Sequence, residues 1–308
     1  MEKIERRAFL FGSGAALASA GCRSFGSGGL DPNLSVFVSD LHVKPDSYQK
    51  ERFDVIVDRI LAMSPRPANV VVFGDIAWLY GKREDYETSR PQLRRLIDAG
   101  IRLTFGMGNH DHRANFLAYW PEYAKTSPVP NRIVSVVDLG ACDLILLDTL
   151  YENTLDETVM TTVPGQMTGA QWEWLKGVLP GWRRPVFLGA HHDPNDLADG
   201  DRAAFNDLVM SSPAVVGYIH GHDHFWRRRT LRYSVPSREP AFRKRLLTLP
   251  STGHWGDIGY VIFRTAPGRA EAELAELDHY FTAPTVRSAM DEDIVRENNG
   301  QRCVFRFD

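Results

Sequence analysis

The sequence predicts an α/β protein, with strands joined by helices that pack on a sheet, and two observations carry that prediction. Short apolar runs alternate with amphipathic stretches along most of its 308 residues. One run, Val70-Val71-Val72-Phe73, is continuously apolar, as a parallel strand covered on both faces must be. With 43% of residues hydrophobic and 24% charged, there is material for a substantial core, which excludes a chain disordered throughout.

The first 22 residues stand apart from that pattern and resemble an export signal. Arg6 and Arg7 form a twin-arginine pair ahead of Phe9 and Leu10. The weakly apolar run from Ala8 to Ala20 is too short, and too rich in Gly and Ser, to span a bilayer as a helix. Ser19-Ala20-Gly21-Cys22 resembles a bacterial lipobox, with Ser where an aliphatic residue is usual. Residues 1–22 are therefore expected to be a twin-arginine signal of lipoprotein type, 23–33 a flexible tether, and 34–308 a single domain with C-terminal strands and a tail. The expected destination is the periplasm or cell surface, with membrane attachment through a lipidated Cys22. A soluble exported protein in which Cys22 is incidental is the plainer alternative.

Leu34 to Val38 reads as the first strand. Asp46 to Met63 places Phe53, Ile56, Val57, Ile60 and Leu61 at helical spacing and stops before Pro65, and the Val70 run follows, completing a β-α-β unit. Leu93, Leu96 and Ile97 mark a second helix before Gly100, and Ile101 to Phe105 the next strand. Arg132 to Leu139 and Asp143 to Leu147 form an antiparallel pair turning at Gly140-Ala141. A helix over Gln171 to Leu179, a strand over Pro185 to Leu188, a helix over Asp201 to Met210 and a strand over Val215 to Ile219 follow. Arg243 to Thr248, Tyr260 to Phe263 and Ala270 to Ala275 read as strands without intervening helices.

Polar clusters sit just past the ends of five of these strands: Asp40-Leu41-His42, Gly74-Asp75, Gly108-Asn109-His110-Asp111, His191-His192-Asp193-Pro194 and His220-Gly221-His222-Asp223-His224. In an open α/β sheet the carboxyl edge is where ligand sites form, so five distant stretches can meet in one cavity. Lys plus Arg numbers 36 against 39 Asp plus Glu, a net charge of −3, which argues against nucleic acid as the main partner. Three cysteines, Cys22, Cys142 and Cys303, are too few and too scattered for a thiolate site. A metal would be held by carboxylate, amide and imidazole groups, a set suited to Mn, Fe, Zn or Ni. Asp40, His42, Asp75, Asn109, His191, His222 and His224 are too many ligands for one ion and suit two transition-metal ions about 3.5–4 Å apart.

These five blocks, in this order after strands, resemble the signature of the calcineurin-like metallophosphoesterases. The resemblance runs from about Leu34 to about Phe263, because Leu249-Pro250-Ser251-Thr252-Gly253 and Gly259-Tyr260 are similar to the later strands of the branch that includes cyclic nucleotide phosphodiesterases and purple acid phosphatases. It implies a two-layer β-sandwich of mixed sheets flanked by helices. It further implies hydrolysis of a phosphomonoester or phosphodiester through a hydroxide bridging two divalent ions. Asp40, His42, Asp75 and His224 would hold one ion, and Asp75, Asn109, His191 and His222 the other, with Asp75 as the bridge. His110 would face the phosphate and the leaving group, with Asp111 orienting it.

The fourth block offers two imidazoles for one ligand position, and the first, His191, is assigned to it. His220 lies outside the pattern and reads as a strand-end residue; His112 is ambiguous. His254, within Gly253-His254-Trp255-Gly256, could reach the mouth of the cleft. Arg227-Arg228-Arg229 reads as a solvated strand or loop face. The substrate is expected to be a small phosphoester selected by loops such as Tyr151 to Gly169 and Ser234 to Ala241. The competing class is an exported metal-binding or substrate-binding protein with a degenerate, non-catalytic phosphoesterase fold. His110 argues against it, since a structural metal site needs no unliganded imidazole beside it.

Overall fold

Alternation along the strands decides how the layers stack. In the computed structural model, which describes residues 29–152, 164–230, 244–280 and 298–307, Val36 and Val38 of β1 (Leu30–Val38) enter one core cluster and Phe37 another. Val70 and Val72 of β2 (Arg66–Val72) join the first cluster and Val71 the second, in register with β1, so the apolar run is apolar because both its faces are covered. The proposed signal at residues 1–22, most of the tether, the Ser234–Ala241 loop and the middle of the Tyr151–Gly169 loop lie outside the described residues.

The two crossovers that the helical spacing predicts are present. Helix α1 (Tyr48–Leu61), capped by the Ser47 hydroxyl, and helix α2 (Arg83–Asp98) connect β1, β2 and β3 (Arg102–Phe105) as parallel neighbours. Their apolar faces, with Phe53, Ile56, Ile60, Leu93 and Leu96, cover one side of the sheet. The short helices α3 (Arg113–Tyr119) and α4 (Glu122–Thr126), not anticipated from the pattern, cap the end of that layer through Phe116 and Trp120.

The second sheet begins with the antiparallel pair β4 (Ser135–Asp138) and β5 (Asp143–Leu146). It continues in parallel through β6 (Val186–Ala190), β7 (Val215–His220) and β9 (Arg245–Thr248), with β8 (Arg227–Thr230) antiparallel at its edge. Helices α5 (Gly169–Val178) and α6 (Asp199–Ser211) cover its outer face through Leu175, Phe205 and Val209. The chain then returns to the first sheet: β10 (Gly256–Ala266) lies antiparallel to β1, followed by β11 (Arg269–Tyr280) and β12 (Arg302–Arg306).

Two six-stranded mixed sheets result, β12-β11-β10-β1-β2-β3 and β4-β5-β6-β7-β9-β8, packed face to face with helices outside. Between them Phe37, Phe73, Phe187, Phe263 and Phe305 are buried together. Cys142 and Cys303 are unpaired thiols in this inner layer. No helix among the described residues is long and apolar enough to cross a membrane.

Strand β12 places Phe305 4.8 Å from Phe187, ring edge to ring face at 88°. Replacing Phe305 by Ala should cost about 3–5 kcal/mol of unfolding free energy in a denaturant titration; a loss below about 1 kcal/mol would show that β12 is not part of the core.

Candidate metal centre

The parallel strands of both sheets deliver their carboxyl ends to one edge, and there the backbone turns in an unusual way. Asp40, His42, Asp75, His222 and His224 all have φ between 46° and 68°, the left-handed region that non-glycine residues avoid. Hydrogen bonds between neighbouring loops hold them there. The Asp40 and His42 amides donate to the carbonyls of Gly74 and Asp75, at 3.1 and 2.9 Å, and the Gly221 amide donates to His191 O at 3.0 Å. Close approach also fixes two residue types: a Cβ on Gly108 would stand 2.1 Å from Asp75 Oδ1, and one on Gly221 would stand 1.9 Å from Ser39 Oγ.

Those turns aim the candidate ligands at a common volume. Asp75 Oδ1 accepts a hydrogen bond from the His110 amide at 2.8 Å, leaving Oδ2 directed inward, 3.5 Å from His42 Nε2 and 3.3 Å from His191 Nε2. Asp40 is held likewise: Oδ2 accepts from the His222 amide at 3.1 Å, while Oδ1, buried without a hydrogen-bond donor, lies 3.2 Å from His224 Nε2. His42 Nε2 and His224 Nε2 are 3.3 Å apart. On the other side, His191 Nε2 stands 3.1 Å from Asn109 Oδ1 and 3.3 Å from His222 Nδ1.

The donor chemistry fits a cation. His42 Nδ1 donates to Trp78 O at 2.8 Å and His191 Nδ1 to Phe73 O at 2.9 Å, so Nε2 of each ring is turned to the centre and presents a lone pair there when it carries no proton. Lone pairs and carboxylate oxygens facing one another at such distances repel unless a positive charge lies among them. Atoms bound to one transition ion at about 2.0–2.2 Å stand roughly 3.0–3.5 Å from each other, which is the spacing found here. Asp40, His42 and His224 form one such group and Asp75, His191 and His222 another. Asp75 Oδ2 is near members of both.

The electrostatics agree. Burial pushes the imidazoles of His42 and His222 down, to about 3 and about 4, so both rings are neutral at ordinary pH. Burial alone would raise the carboxyls of Asp40 and Asp75, but His224 beside Asp40 and His191 beside Asp75 override it and hold both below the usual carboxylate range. Burial would also lower His191, yet the charge of Asp75 lifts it to about 9. Without a cation, therefore, a proton on His191 compensates Asp75.

The structure thus brings the side chains of all seven predicted ligands together and places the two adjacent histidines differently. His191 points into the centre, whereas His192 engages Thr149 Oγ1 through Nδ1 at 2.8 Å and packs behind His191 and His222. His220 is bound to Gly221 O and Thr248 Oγ1, as a strand-end residue would be. His110 lies beside the centre, partly exposed, with its ring 5.0 Å from that of His42.

The role expected for Asp111 needs correction. The group that orients His110 is the Leu79 carbonyl, 2.9 Å from His110 Nδ1. Asp111 instead accepts hydrogen bonds from the amides of Gly108, Ile76 and Ala77 and from the Tyr86 hydroxyl, tying the loop after β2 to the loop after β3. A fully buried carboxylate needs several donors, and the backbone supplies them more densely than one imidazole could. The contributions of Trp78 and Leu79 were invisible in the sequence because both act through carbonyls, which every residue has.

Comparisons with known proteins follow the same line. The calcineurin-like phosphoesterase family model matches residues 35–225. Among solved structures, the chain is similar in fold to a dimetal phosphatase from Danio rerio, with a TM-score of 0.59 and 17% identity, covering 79% of this chain and 96% of that one. It also aligns with a Vps29 double mutant from Entamoeba histolytica (TM-score 0.42, 12% identity, 89% and 99% of the two chains). A third alignment is with Vps29 from Chaetomium thermophilum (TM-score 0.38, 12% identity, 91% and 99%). No curated protein sequence matches the chain.

A cation held by His191 must displace its proton, which below about pH 9 is present in the metal-free protein. Metal affinity should therefore fall about tenfold per pH unit as pH drops below about 9, with release of about one proton per chain from this residue. Metal titrations from neutral to alkaline pH, in buffers of differing ionisation enthalpy, would read both quantities; an affinity that does not change with pH would contradict the assignment.

Proposed function

The chain belongs to the calcineurin-like phosphoesterase family, and from that premise we propose that it hydrolyses a small phosphomonoester or phosphodiester at a dinuclear centre. One observation carries the proposal: Asp75 Oδ2 stands between His42 Nε2 and His191 Nε2, at 3.5 and 3.3 Å, and so is shared by two groups of donors. Asp40, His42, Asp75 and His224 would hold one ion, and Asp75, Asn109, His191 and His222 the other, with Mn, Fe, Zn or Ni as ions suited to these donors. The fold shared with a dimetal phosphatase is consistent with that pairing. Two such ions, when bound, lower the pKa of a coordinated water toward neutrality and neutralise charge on a phosphoryl oxygen.

The chain's own contribution to the chemistry lies chiefly with His110. With Nδ1 fixed on Leu79 O, its Nε2 faces the centre, 3.9 Å from Asp75 Oδ2, and when protonated can give a proton to the departing oxygen of the ester. Asp75 orients it further by accepting the His110 amide. Kinship with the branch of cyclic nucleotide phosphodiesterases and purple acid phosphatases is supported by the segment Leu249 to Gly253. Within it, Ser251 Oγ donates to Asp40 O at 2.9 Å, so the segment that carries the likeness also touches the centre.

Export to the periplasm or cell surface, with a lipid anchor at Cys22, is part of the same proposal and is supported by Arg6-Arg7 and by Ser19-Ala20-Gly21-Cys22.

After reconstitution with Mn²⁺, Zn²⁺ or Fe²⁺, the protein should hydrolyse p-nitrophenyl phosphate or its bis ester and carry up to two ions by elemental analysis. Asp75→Ala should abolish metal retention and turnover together. His110→Asn should keep the metal while kcat falls by roughly 10²- to 10⁴-fold on esters with poor leaving groups, and less on nitrophenyl esters. Metal loss in His110→Asn, or full activity on a poor leaving group, would overturn its role as acid. For export, replacing Arg6 and Arg7 by Lys should leave the precursor in the cytoplasm, and Cys22→Ala should release the exported protein from the membrane fraction. Unchanged membrane association of Cys22→Ala would exclude the anchor.

A further inference from the structure

One imidazole at the centre has no task in the scheme above. His254 lies between β9 and β10, partly exposed, with its ring 4.6 Å from that of His42, 5.6 Å from that of His224 and 4.6 Å from Trp78, edge-on at 85°. It belongs to none of the groups that could hold a metal ion among the described residues. Its Nδ1 is buried without a hydrogen-bond partner, and among the described residues its side chain makes no hydrogen bond at all. His110, the other imidazole beside His42 on this side, is by contrast anchored by the Leu79 carbonyl.

The backbone around His254 is fixed in a way that a surface loop rarely needs. Its amide donates to Ser251 Oγ at 3.0 Å, and Arg52 Nη1 donates to the carbonyls of Gly253 and His254. Arg52 is itself held by Asp278 at 3.0 Å. The Thr252 amide donates to Ser39 O at 2.8 Å, and a Cβ on Gly253 would stand 2.5 Å from Leu41 O. The loop is thus pinned to the turn that presents Asp40 and His42. A rigidly placed imidazole with unused hydrogen-bonding capacity, at the rim of a site for an anion, is arranged to meet that anion.

We propose that His254 is a second substrate-contacting imidazole, which hydrogen-bonds a phosphoryl oxygen of the ester from the rim beside His42 and His224. The inference rests on the phosphoesterase reading of the centre and adds a binding contact to it. A purely structural ring, packed between His42, Trp78 and Trp255, would be replaced without consequence by an aromatic ring that cannot hydrogen-bond. That contrast defines the test.

His254→Phe keeps the ring and removes both nitrogens, while His254→Gln keeps hydrogen-bonding capacity without the ring. In the metal-loaded full chain, calorimetric binding of inorganic phosphate should weaken about tenfold or more in His254→Phe, the order of one lost hydrogen bond to a charged group. The Gln variant should recover part of the loss, and metal content should equal wild type in both. With a hydrolysed ester as substrate, KM should rise by a similar factor while kcat changes less. Wild-type phosphate affinity in His254→Phe, or loss of metal from both variants, would overturn the inference. If the wild type turns over no phosphoester yet phosphate binding still weakens in His254→Phe, the contact stands and the proposed activity falls. If the wild type is active and His254→Phe is indistinguishable from it, only the contact falls.

Discussion

Seven electron-rich side chains converge on a few ångströms at the carboxyl edge of the two sheets, and the rest of the molecule is arranged to hold them against their mutual repulsion. Left to themselves, a carboxylate and an imidazole lone pair about 3.5 Å apart, such as Asp75 Oδ2 and His42 Nε2, would turn away from one another, as surface side chains do. Four of the seven cannot, because they are braced from behind. Trp78 O and Phe73 O fix the rings of His42 and His191, and the amides of His110 and His222 fix the second oxygens of Asp75 and Asp40. Each brace satisfies the outer atom of a side chain and leaves the inner one unsatisfied. That division, repeated around the centre, is the preorganisation that a metal site requires.

The braces have a conformational cost. Five of the candidate ligands occupy left-handed backbone conformations, each worth on the order of 1–3 kcal/mol for a residue with a side chain. A regular strand would also put Asp40 and His42, two residues apart, on one face, but it would carry the chain straight on, whereas the left-handed residues end the strand and turn it. The turn is tolerated because the loops after β1 and β2 zip together through Asp40, His42 and Val43, whose amides find carbonyls on Gly74, Asp75 and Ile76. Asp111 completes the zip by gathering three amides and a tyrosine hydroxyl onto one buried carboxylate. Burial and the nearby charge of Asp75 push its carboxyl up to about 6, so at neutral pH the clamp is ionised and its acceptor oxygens serve the amides.

Much of this was legible in the sequence, for identifiable reasons. Strands β1, β2, β5, β6 and β7 are buried on both faces, so they write themselves as continuous apolar runs, and a polar residue directly after such a run marks a strand end. Six of the seven candidate ligands were found that way, after β1, β2, β6 and β7, and Asn109 was found after β3. Strand β11 was read only from Ala270 to Ala275, where Ala270, Ala272 and Leu274 turn inward and Glu271 and Glu273 outward to pair with Arg302 and Arg264; beyond it Glu276 is a buried carboxyl and the register with β10 shifts, so the alternation that marks a strand is broken before Tyr280. Strand β12 contributes Cys303 and Phe305 to the inner layer, too few residues to reveal a period. The role of Asp111 was misread for a different reason. Adjacency in sequence to His110 suggested a pair, but its partners are the amides of Ile76 and Ala77 on the preceding loop, that of Gly108 on its own loop and the Tyr86 hydroxyl on α2.

The division of ligands between the sheets has a consequence for the fold as a whole. Asp40, His42, Asp75 and Asn109 leave the first sheet, whereas His191, His222 and His224 leave the second. Neither proposed ion is held by one sheet alone: Asp40 and His42 need His224, and Asp75 and Asn109 need His191 and His222. Below the centre the sheets adhere through a layer of buried phenylalanines, whose apolar contacts are non-directional. At the edge, a cation bound from both sides would fix their relative position, because donor atoms tolerate displacements of only a fraction of an ångström. A ligand that binds only the native arrangement stabilises it in proportion to the logarithm of its concentration over its dissociation constant. The phenylalanine layer therefore sets how closely the sheets approach, and a cation at the centre would set their register at that edge.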